Sequence, residues 1–245
     1  FQNQSYLNLM NKLDIIIPVH NESEIIVNLL LQFEKQINCD YKVIICYDFD
    51  NDSTTKVINQ SFLDKSKIHI IKNKSVGPNE AIKTGIDYSN AEIILVYMAD
   101  DFLNISLINK MILKIDEGYD LIIPSRFIKG GTFENKNLFK KIITVLGYSA
   151  MYYIAGIPYR DCTNAFKMFS SRVVKKIIFN SSKGFTYALE LTIKTHHSKY
   201  KIIEIPAKWE DLKGRKSKFK VIKWLPYYIY WLLYAILLRI KVISY

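Results

Sequence analysis

Short apolar segments alternate with helix-patterned segments through the first 125 residues, and this alternation limits the fold more than any other feature. The apolar segments predict five strands: Leu13–Val19, Lys42–Cys46, Ile68–Lys72, Glu92–Met98 and Leu121–Pro124. Between them, the 3.6-residue periodicity predicts four helices: Glu22–Ile37, Ser53–Phe62, Pro78–Tyr88 and Ile105–Glu117. Strands joined by helices form parallel βαβ units, and strands this apolar belong to a sheet that is covered on both faces. The sequence therefore predicts an α/β fold with a mostly parallel sheet.

The second half of the chain is less regular and shows no internal repeat. Its pattern predicts, in order, a helix, a strand, a helix and a strand: Leu138–Ala155, Ala165–Phe169, Tyr187–His196 and Ile202–Trp209. We expect one catalytic domain over residues 1–222, followed by an amphipathic or membrane-interface helix over 223–245.

The uncharged stretch between Lys223 and Arg239 holds 15 residues, fewer than the roughly 20 that a helix needs to cross a bilayer. It is rich in Trp and Tyr, which prefer the interface between water and lipid. A basic run precedes it, which favours a helix lying on an anionic membrane surface. A helix packed on the protein's own core is the alternative. In both cases Pro226 is expected in the first helical turn.

The chain carries 34 Lys and Arg residues against 23 Asp and Glu residues, a net charge of +11. Such an excess indicates a polyanionic partner: nucleic acid, an anionic membrane or a phosphorylated substrate. Aromatic residues lie mostly in apolar runs rather than among the basic residues, so no nucleic-acid partner is expected. Three cysteines without C-x-x-C spacing argue against a disulfide framework or a zinc cluster, and fit a reducing, cytoplasmic compartment.

Carboxylates follow two of the predicted strands. Asp48, Asp50 and Asp52 come after the second strand, and Asp100 and Asp101 come after the fourth. Ligands of open α/β sheets bind at the carboxyl ends of the strands, and like charges that converge there favour a divalent cation. For Asp52, an N-cap on the helix that begins at Ser53 is an equal alternative. The dinucleotide-binding G-x-G-x-x-G and the P-loop signature are both absent from the sequence.

Several of these segments resemble the family 2 glycosyltransferases of GT-A fold: IIIPVHNE, YDFDND, GPNEAIKTGI and the ADD that follows VYM. Later segments resemble the dolichyl- or polyprenyl-phosphate sugar synthases: IPSRFIKGG, DCTNAFKMF, GFTYALEL and EIPAKWEDLKGRKSKFK. The resemblance extends from about Leu13 to Leu225. It implies an inverting transfer, dependent on Mg²⁺ or Mn²⁺, from a GDP- or UDP-linked sugar to a polyprenyl phosphate. It also implies an enzyme that is peripheral on the inner face of the cell membrane.

The resemblance assigns roles to individual residues. Donor binding falls on Pro18, His20, Glu22, Asp48, Asp50, Gly77 and Asp100. The metal falls on Asp101 with Asp100, although the first Asp of the family's D-x-D is Ala99 here. Arg126, Lys140 and Thr144 are expected to bind the acceptor phosphate. Arg215, Lys216 and Lys218 are expected to belong to a basic loop that closes over the diphosphate. Asp101, Arg126 and Lys140 are thus the expected catalytic residues.

Two other enzymatic functions remain open at this point. A family 2 enzyme acting on a hydroxyl acceptor, in polysaccharide or glycan synthesis, would need a general base, and Asp161 is the candidate. A nucleotidyltransferase would share the α/β architecture and the metal site, but the later segments argue against it.

Overall fold

The computed structural model describes residues 12–134, 138–210 and 221–244. Its centre is a seven-stranded sheet with the strand order β3-β2-β1-β4-β7-β5-β8. These strands are β1 (Leu13–Val19), β2 (Tyr41–Tyr47), β3 (Ile68–Lys72), β4 (Ile93–Val96), β5 (Leu121–Ser125), β7 (Lys167–Ser170) and β8 (Ile202–Pro206). Only β7 runs antiparallel to its neighbours. A second, two-stranded parallel sheet pairs β6 (Thr132–Glu134) with β9 (Lys208–Glu210).

Eight α-helices connect and flank these strands in the described part of the chain. They are α1 (Ile26–Gln36), α2 (Ser53–Gln60), α3 (Pro78–Tyr88), α4 (Leu107–Asp116), α5 (Leu138–Ser149), α6 (Ser171–Val174), α7 (Tyr187–His197) and α8 (Val221–Arg239). A short 3₁₀ turn, Lys65–Lys67, precedes β3, and a π-helical turn, Ala150–Ile154, continues α5.

Both faces of the central sheet are covered, as the apolar strands predict. Alternate residues of β1 point to opposite sides: Ile15 packs with α1 and α4, whereas Ile16 packs with α3 and α7. The approach of α3 is so close that a Cβ atom on Gly85 would lie 2.4 Å from Cγ2 of Ile16. The buried faces therefore leave the carboxyl edge of the sheet as the open side of the fold.

The strand order also locates a crevice. The chain passes from β1 outward through β2 to β3, then crosses to β4 on the other side of β1. At such a switch point, the loops after the two central strands diverge and leave a ligand-binding crevice at the carboxyl edge. Residues 20–22 and 99–101 are therefore expected to flank one site.

Several predicted elements have other bounds in the structure. The strand predicted over Ile202–Trp209 is divided at Ala207, where the chain leaves β8 and joins β6. The division follows from backbone hydrogen bonds, since the N–H of Ala207 donates to Ser125 at 2.9 Å and its carbonyl accepts from Thr132 at 3.0 Å. The predicted strand Ala165–Phe169 is Lys167–Ser170, and the predicted helix Leu138–Ala155 ends in the π-helical turn.

The last helix begins earlier than expected. It starts at Val221, so Pro226 lies inside the helix and not in its first turn. Its inner face packs with α7 and the π-helical turn in a third apolar cluster that includes Leu189, Ile193, Trp231 and Ala235. No helix in the described ranges has both the length and the apolar character to cross a membrane. The division of the chain at residues 222 and 223 stays a prediction.

Candidate active site

The loop after β1 is fastened to the start of α2. Asp52 caps that helix by accepting from the N–H of Thr54 at 2.9 Å, and its other carboxylate oxygen accepts from the N–H of Asn21 at 3.0 Å. The N–H of Glu22 donates to the Thr54 hydroxyl at 2.9 Å. The N-cap interpretation of Asp52 is thus confirmed. Its buried carboxylate holds two loops together and is not available to a ligand.

Asp48 fastens the next loop. Its Oδ1 accepts from Asn73 Nδ2 at 2.9 Å and from the N–H of Gly77 at 3.0 Å. Gly77 has φ +118°, a conformation that an L-residue adopts only with strain. The structure therefore brings the expected donor residues Asp48 and Gly77 together across the ends of β2 and β3.

The remaining donor candidates surround this point. His20 is exposed, and its ring meets the edge of Phe49 at 5.8 Å between centroids. Asp50 is also exposed, and it pairs with Lys72 at 2.6 Å. Pro18 is half-buried within β1, next to Cys46 of β2. These side chains line the open edge of β1, β2 and β3.

Asp101 follows β4 and is held from several directions. Its Oδ1 accepts from the N–H groups of Leu103 and Asn104 and from Asn104 Nδ2, at 3.0–3.1 Å. Among the described residues, Oδ2 accepts from Asn104 Nδ2 alone, at 2.8 Å. Burial raises the pKa of the Asp101 carboxyl to about 6, against these hydrogen bonds, and the negative charge of Asp100 adds to the rise. Burial thus disfavours the ionised form of Asp101 relative to water, and a bound cation would favour that form.

This arrangement fits a hard divalent cation. Asp101 and the exposed Asp100 offer carboxylate oxygens at the switch point, and Oδ2 of Asp101 has lone-pair capacity left. Within the described residues, no group of three or more His, Cys, Asp or Glu side chains could hold a metal. Two carboxylates are nevertheless compatible with Mg²⁺, which commonly takes one or two carboxylates together with substrate phosphates.

Asn104 links Asp101 to the small sheet. This buried amide donates from Nδ2 to the Lys208 carbonyl at 2.7 Å and accepts at Oδ1 from the Lys208 N–H at 3.0 Å. It therefore pairs with β9 as a neighbouring strand residue would. The role of Asn104 was not predicted, although its position three residues after Asp101 is a readable sign of a turn closed by the aspartate.

Arg126 lies one residue beyond β5, at the same edge of the sheet. Its Nε and Nη2 each donate to the Asp161 carboxylate at 2.7 Å, and its backbone N–H donates to Oδ2 at 2.9 Å. The guanidinium also lies over the rings of Phe127 and Phe133, 5.3 and 4.9 Å from their centroids. Asp161 is fully buried, which places it out of reach of a substrate as a general base.

The other acceptor candidates lie on α5 or outside the described residues. Thr144 is half-buried in α5. Lys140 lies in the same helix, and its side chain is not described. Tyr148, one turn beyond Thr144, stacks on Phe127 at 4.4 Å. The expected loop-closure residues Arg215, Lys216 and Lys218 fall outside the described residues.

A known protein family matches more than half of the chain. Residues 14–179 match the profile described as Glycosyl transferase family 2. The chain belongs to glycosyl transferase family 2. The resemblance noted in the sequence is thereby confirmed at the level of the family.

Curated relatives of this family-2 chain include two enzymes named for lipid-phosphate mannose transfer. A dolichol-phosphate mannosyltransferase of Pyrococcus furiosus is 27% identical over 215 residues, which cover 85% of this chain and 59% of the relative. A polyprenol monophosphomannose synthase of Mycolicibacterium smegmatis is 24% identical over 230 residues, which cover 86% and 85%. The chain thus spans only about three fifths of the length of the Pyrococcus relative.

Solved structures confirm the GT-A fold class. The glucosyl-3-phosphoglycerate synthase of Mycobacterium tuberculosis, in complex with Mn²⁺, UDP and glucosyl-3-phosphoglycerate, superposes with a TM-score of 0.67 at 11% identity. The match covers 94% of this chain and 80% of that structure. At this identity the likeness establishes the architecture alone.

Proposed function

We propose that the chain is an inverting glycosyltransferase that depends on Mg²⁺ or Mn²⁺ and transfers a sugar from a GDP- or UDP-linked donor to a polyprenyl phosphate. The observation that carries this proposal is the position of Arg126. A guanidinium held in place, with its Nη1 not engaged by Asp161, lies at the same sheet edge as the carboxylates of the donor loops. The names of the curated relatives support the same substrate classes.

The donor would lie along the ends of β1 to β4. Asp48 and Gly77 form the floor beneath the base, with His20 and Phe49 beside it. Asp101 and Asp100 would hold the cation next to the diphosphate. When bound, such a cation stabilises the negative charge that develops on the leaving nucleoside diphosphate.

The acceptor determines what the protein must supply in the transfer step. A phosphate oxygen of the lipid attacks the anomeric carbon as the bond from that carbon to the diphosphate oxygen breaks, and the nucleoside diphosphate leaves with the electron pair. Attack from the face opposite the leaving group inverts the configuration. Because the phosphate is already an anion, no base is required, and Arg126 serves by positioning it. Lys140 and Thr144 are proposed to complete this phosphate site.

The hydroxyl-acceptor alternative is less well supported by the geometry. It requires a base within reach of the hydroxyl, and the candidate Asp161 is buried and already accepts three hydrogen bonds from Arg126. The oxygens of Asp161 are thus occupied by Arg126 and are not open to a substrate hydroxyl.

The surface near Arg126 is suited to a membrane-bound acceptor. The outer face of α8 exposes apolar side chains that include Leu225, Ile229 and Leu233, and α5 exposes Leu138, Ile142 and Leu146 at helical spacing. On α8, burial raises the pKa of Tyr228, and the nearby charge of Arg126 acts in the opposite direction. The helix is therefore close to the proposed phosphate site. Exposed basic residues on these helices (Lys141, Lys223 and Arg239) complement an anionic leaflet.

We propose accordingly that the enzyme acts in the cytoplasm, peripheral on the inner face of the cell membrane. A turnover assay tests the substrates: GDP-mannose, UDP-glucose and a UDP-hexosamine are each offered with undecaprenyl phosphate, with Mg²⁺, Mn²⁺ or EDTA. Formation of a lipid-linked sugar with one donor, abolished by EDTA, is the expected result. Full activity in EDTA would contradict the metal role, and transfer only to hydroxyl acceptors would contradict the lipid acceptor.

Flotation with liposomes tests the membrane surface. A variant with Leu225, Ile229 and Leu233 changed to Ser should float less with phosphatidylglycerol vesicles than the unchanged chain, because it loses exposed apolar area only. Phe62→Ser is the matched control, since Phe62 is a fully exposed apolar side chain remote in sequence from both helices. Equal flotation of the triple variant and the control would leave α8 as a core-packing helix.

A further inference from the structure

Four charged side chains meet where β5, β7 and β8 approach one another at the carboxyl edge. We call Arg126, Asp161, Lys167 and Glu204 the Arg126 cluster. Lys167 and Asp161 are fully buried, and Arg126 is only 10% exposed. Since ionic side chains are rarely buried unless they are paired, a cluster of this kind calls for an explanation in terms of what it holds.

Asp161 is fixed at each of its polar groups. Its backbone N–H donates to Glu204 Oε1 at 3.0 Å, and Lys167 Nζ donates to its carbonyl at 3.3 Å. Its carboxylate takes the Nε and Nη2 groups of Arg126. The same Glu204 oxygen also accepts the N–H of Arg160 at 2.9 Å, which fixes the preceding peptide. Asp161 therefore has little freedom to move relative to the sheet.

The guanidinium group of Arg126 is consequently held by contacts along one edge and on its flat faces. The Asp161 carboxylate occupies the Nε–Nη2 edge, Nη2 lies 3.4 Å from the Thr163 hydroxyl, and the ring of Phe133 packs against the guanidinium plane. Phe133 in turn lies against Trp209 across the β6–β9 pair, at 5.2 Å between centroids. Within the described part of the chain, the bidentate pair and the aromatic faces engage the rest of the guanidinium and leave the Nη1 edge for a ligand.

We propose that Asp161 is a positioning residue: it fixes Arg126 so that Nη1 is aimed at the acceptor phosphate before the substrate arrives. This inference rests on the proposed function, because it takes the phosphate of the acceptor as the ligand of Arg126. A guanidinium that is already held in its binding position loses no side-chain freedom when the phosphate binds. The entropy that is not lost appears as tighter binding of the acceptor.

The alternative roles of Asp161 predict different effects of its removal on acceptor binding and on kcat. If Asp161 only neutralised Arg126, removal of its negative charge would leave Arg126 with a larger effective charge and would tighten binding of an anionic acceptor. If Asp161 were a general base, its removal would lower kcat, whatever residue stood at position 126. Positioning predicts weaker acceptor binding with kcat nearly kept, and no further effect once Arg126 is gone.

The test is a double-mutant cycle of Asp161→Asn and Arg126→Gln, with the KM for undecaprenyl phosphate, the KM for the donor and kcat measured on each protein. We expect Asp161→Asn to raise the lipid KM about tenfold, the size of effect expected when a charge-assisted contact is misaligned. The donor KM should stay unchanged and kcat should fall less than about threefold. The double variant, which carries no unpaired charge from this pair, should match Arg126→Gln alone.

Two further variants keep the inference testable if Asp161→Asn folds poorly. Phe133→Leu removes an aromatic face and leaves the ion pair, and should raise the lipid KM about threefold. Asp120→Asn is the matched control, because Asp120 is also a buried aspartate paired with an arginine, Arg172 at 2.8 Å, but at the opposite end of β5. It should lower the melting temperature and leave the ratio of the two KM values unchanged.

Each outcome decides between the interpretations. An unchanged or lower lipid KM in both Asp161→Asn and Phe133→Leu, with the unchanged chain active on the lipid, would overturn the positioning role and leave the proposed function standing. A fall in kcat for Asp161→Asn that persists in the double variant would make Asp161 a base. Failure of the unchanged chain to glycosylate any polyprenyl phosphate would overturn the proposed function and this inference together.

Discussion

The two halves of the described chain treat charged side chains in opposite ways. In the first half, through α4, the ion pairs lie at the surface, with side chains that are 34–79% exposed: Lys72–Asp50, Lys12–Asp116 and Lys114–Glu117. In the second half, Arg126–Asp161 and Lys194–Glu190 are almost completely buried, and Arg172–Asp120 joins an exposed guanidinium to a buried carboxylate. Surface pairs contribute little to stability and leave their carboxylates accessible to a ligand, whereas buried pairs fix the groups around them.

The difference shows how the site is divided. The donor edge presents carboxylates on loops that are fastened by neighbouring loops, so its chemistry comes from accessible oxygens. The proposed acceptor edge presents one arginine, Arg126, which is fixed by Asp161, 35 positions away in the chain, and by the ring of Phe133. The first arrangement suits a cation and a nucleotide, and the second suits the positioning of an anion that needs no activation.

The largest effect is expected at the donor edge. Asp101→Asn keeps the size of the side chain and removes the charge that would hold the cation, so turnover should fall by about two to three orders of magnitude, the usual effect of losing several kcal/mol of transition-state stabilisation. The measurement is kcat with Mg²⁺ or Mn²⁺. Asp64→Asn, at a surface carboxylate that caps the 3₁₀ turn, is the control. Wild-type turnover in Asp101→Asn would remove the donor edge from the chemistry.

The next effect sharpens the contrast between buried and exposed pairs. Lys194→Met leaves Glu190 buried without its partner, and breaking such a pair should lower the free energy of unfolding by about 3–5 kcal/mol. Lys114→Met breaks an exposed pair at i,i+3 in α4, and should change it by less than about 1 kcal/mol. Urea unfolding of both variants gives the values. Equal losses in the free energy of unfolding would mean that the buried pair stabilises the protein no more than the exposed pair.

The stability of the folded chain should depend on pH through Lys167. Burial lowers the pKa of Lys167 to about 8, although Cys162, Asp161 and Glu204 raise it in part and Arg126 lowers it further. Above pH 8 the unfolded chain holds a proton on this lysine that the folded chain has released. The stability of the folded chain should therefore rise with pH, by at most about 1.4 kcal/mol per unit.

The comparison for this prediction is unfolding of the unchanged chain and of Lys167→Met between pH 8 and 9. Buried Cys46 and Cys162 have pKa values raised to about 12 and would lower stability with pH, but only near and above their ordinary value of 9.0. The unchanged chain should gain stability relative to Lys167→Met across this window. A difference that stays constant with pH would show that Lys167 is charged in the folded protein.

The smallest effect is expected for Lys72→Met, which breaks the exposed pair with Asp50. The free energy of unfolding should change by less than about 1 kcal/mol, because solvent screens the pair. Unfolding in low salt and in 0.5 M salt is the measurement, and the two values should agree within error for the variant. A loss of several kcal/mol would show that this loop is as tightly fixed as the Arg126 cluster.

The donor half could be predicted from the sequence because its signals are local. The first five strands are predominantly apolar runs; Asp48 directly follows β2, and Asp101 lies five residues after the end of β4. The N-cap at Asp52 was one of two equal alternatives in the sequence, and the structure confirms it. In this half of the chain, strands that can be predicted locally are enough to locate the candidate site residues.

The acceptor half could not be predicted to the same extent because its contacts are distant in sequence. The antiparallel direction of β7 leaves no mark on a four-residue apolar strand, and the pairing of β6 with β9 joins residues 76 positions apart, from Thr132 to Lys208. Asp161 was considered in the sequence only as a candidate base for the alternative, hydroxyl-acceptor function. Only the tertiary structure shows that Arg126 occupies its carboxylate.

The third apolar cluster has a mechanical consequence. Trp231 and Ala235 of α8 interlock with Leu189 and Ile193 of α7, and α7 carries Glu190, which accepts the N–H groups of Asn180 and Ser181. Ser181 in turn accepts a hydrogen bond from Asn79 at the start of α3, beside Gly77. Packed interiors are stiff and transmit displacement. If α8 rests on a bilayer, the packed interior therefore sets the height and tilt of the carboxyl edge of the sheet above the lipid head groups. A shift of α8 on the membrane would then be transmitted to the loop at Gly77, which we propose binds the nucleotide, without any ligand.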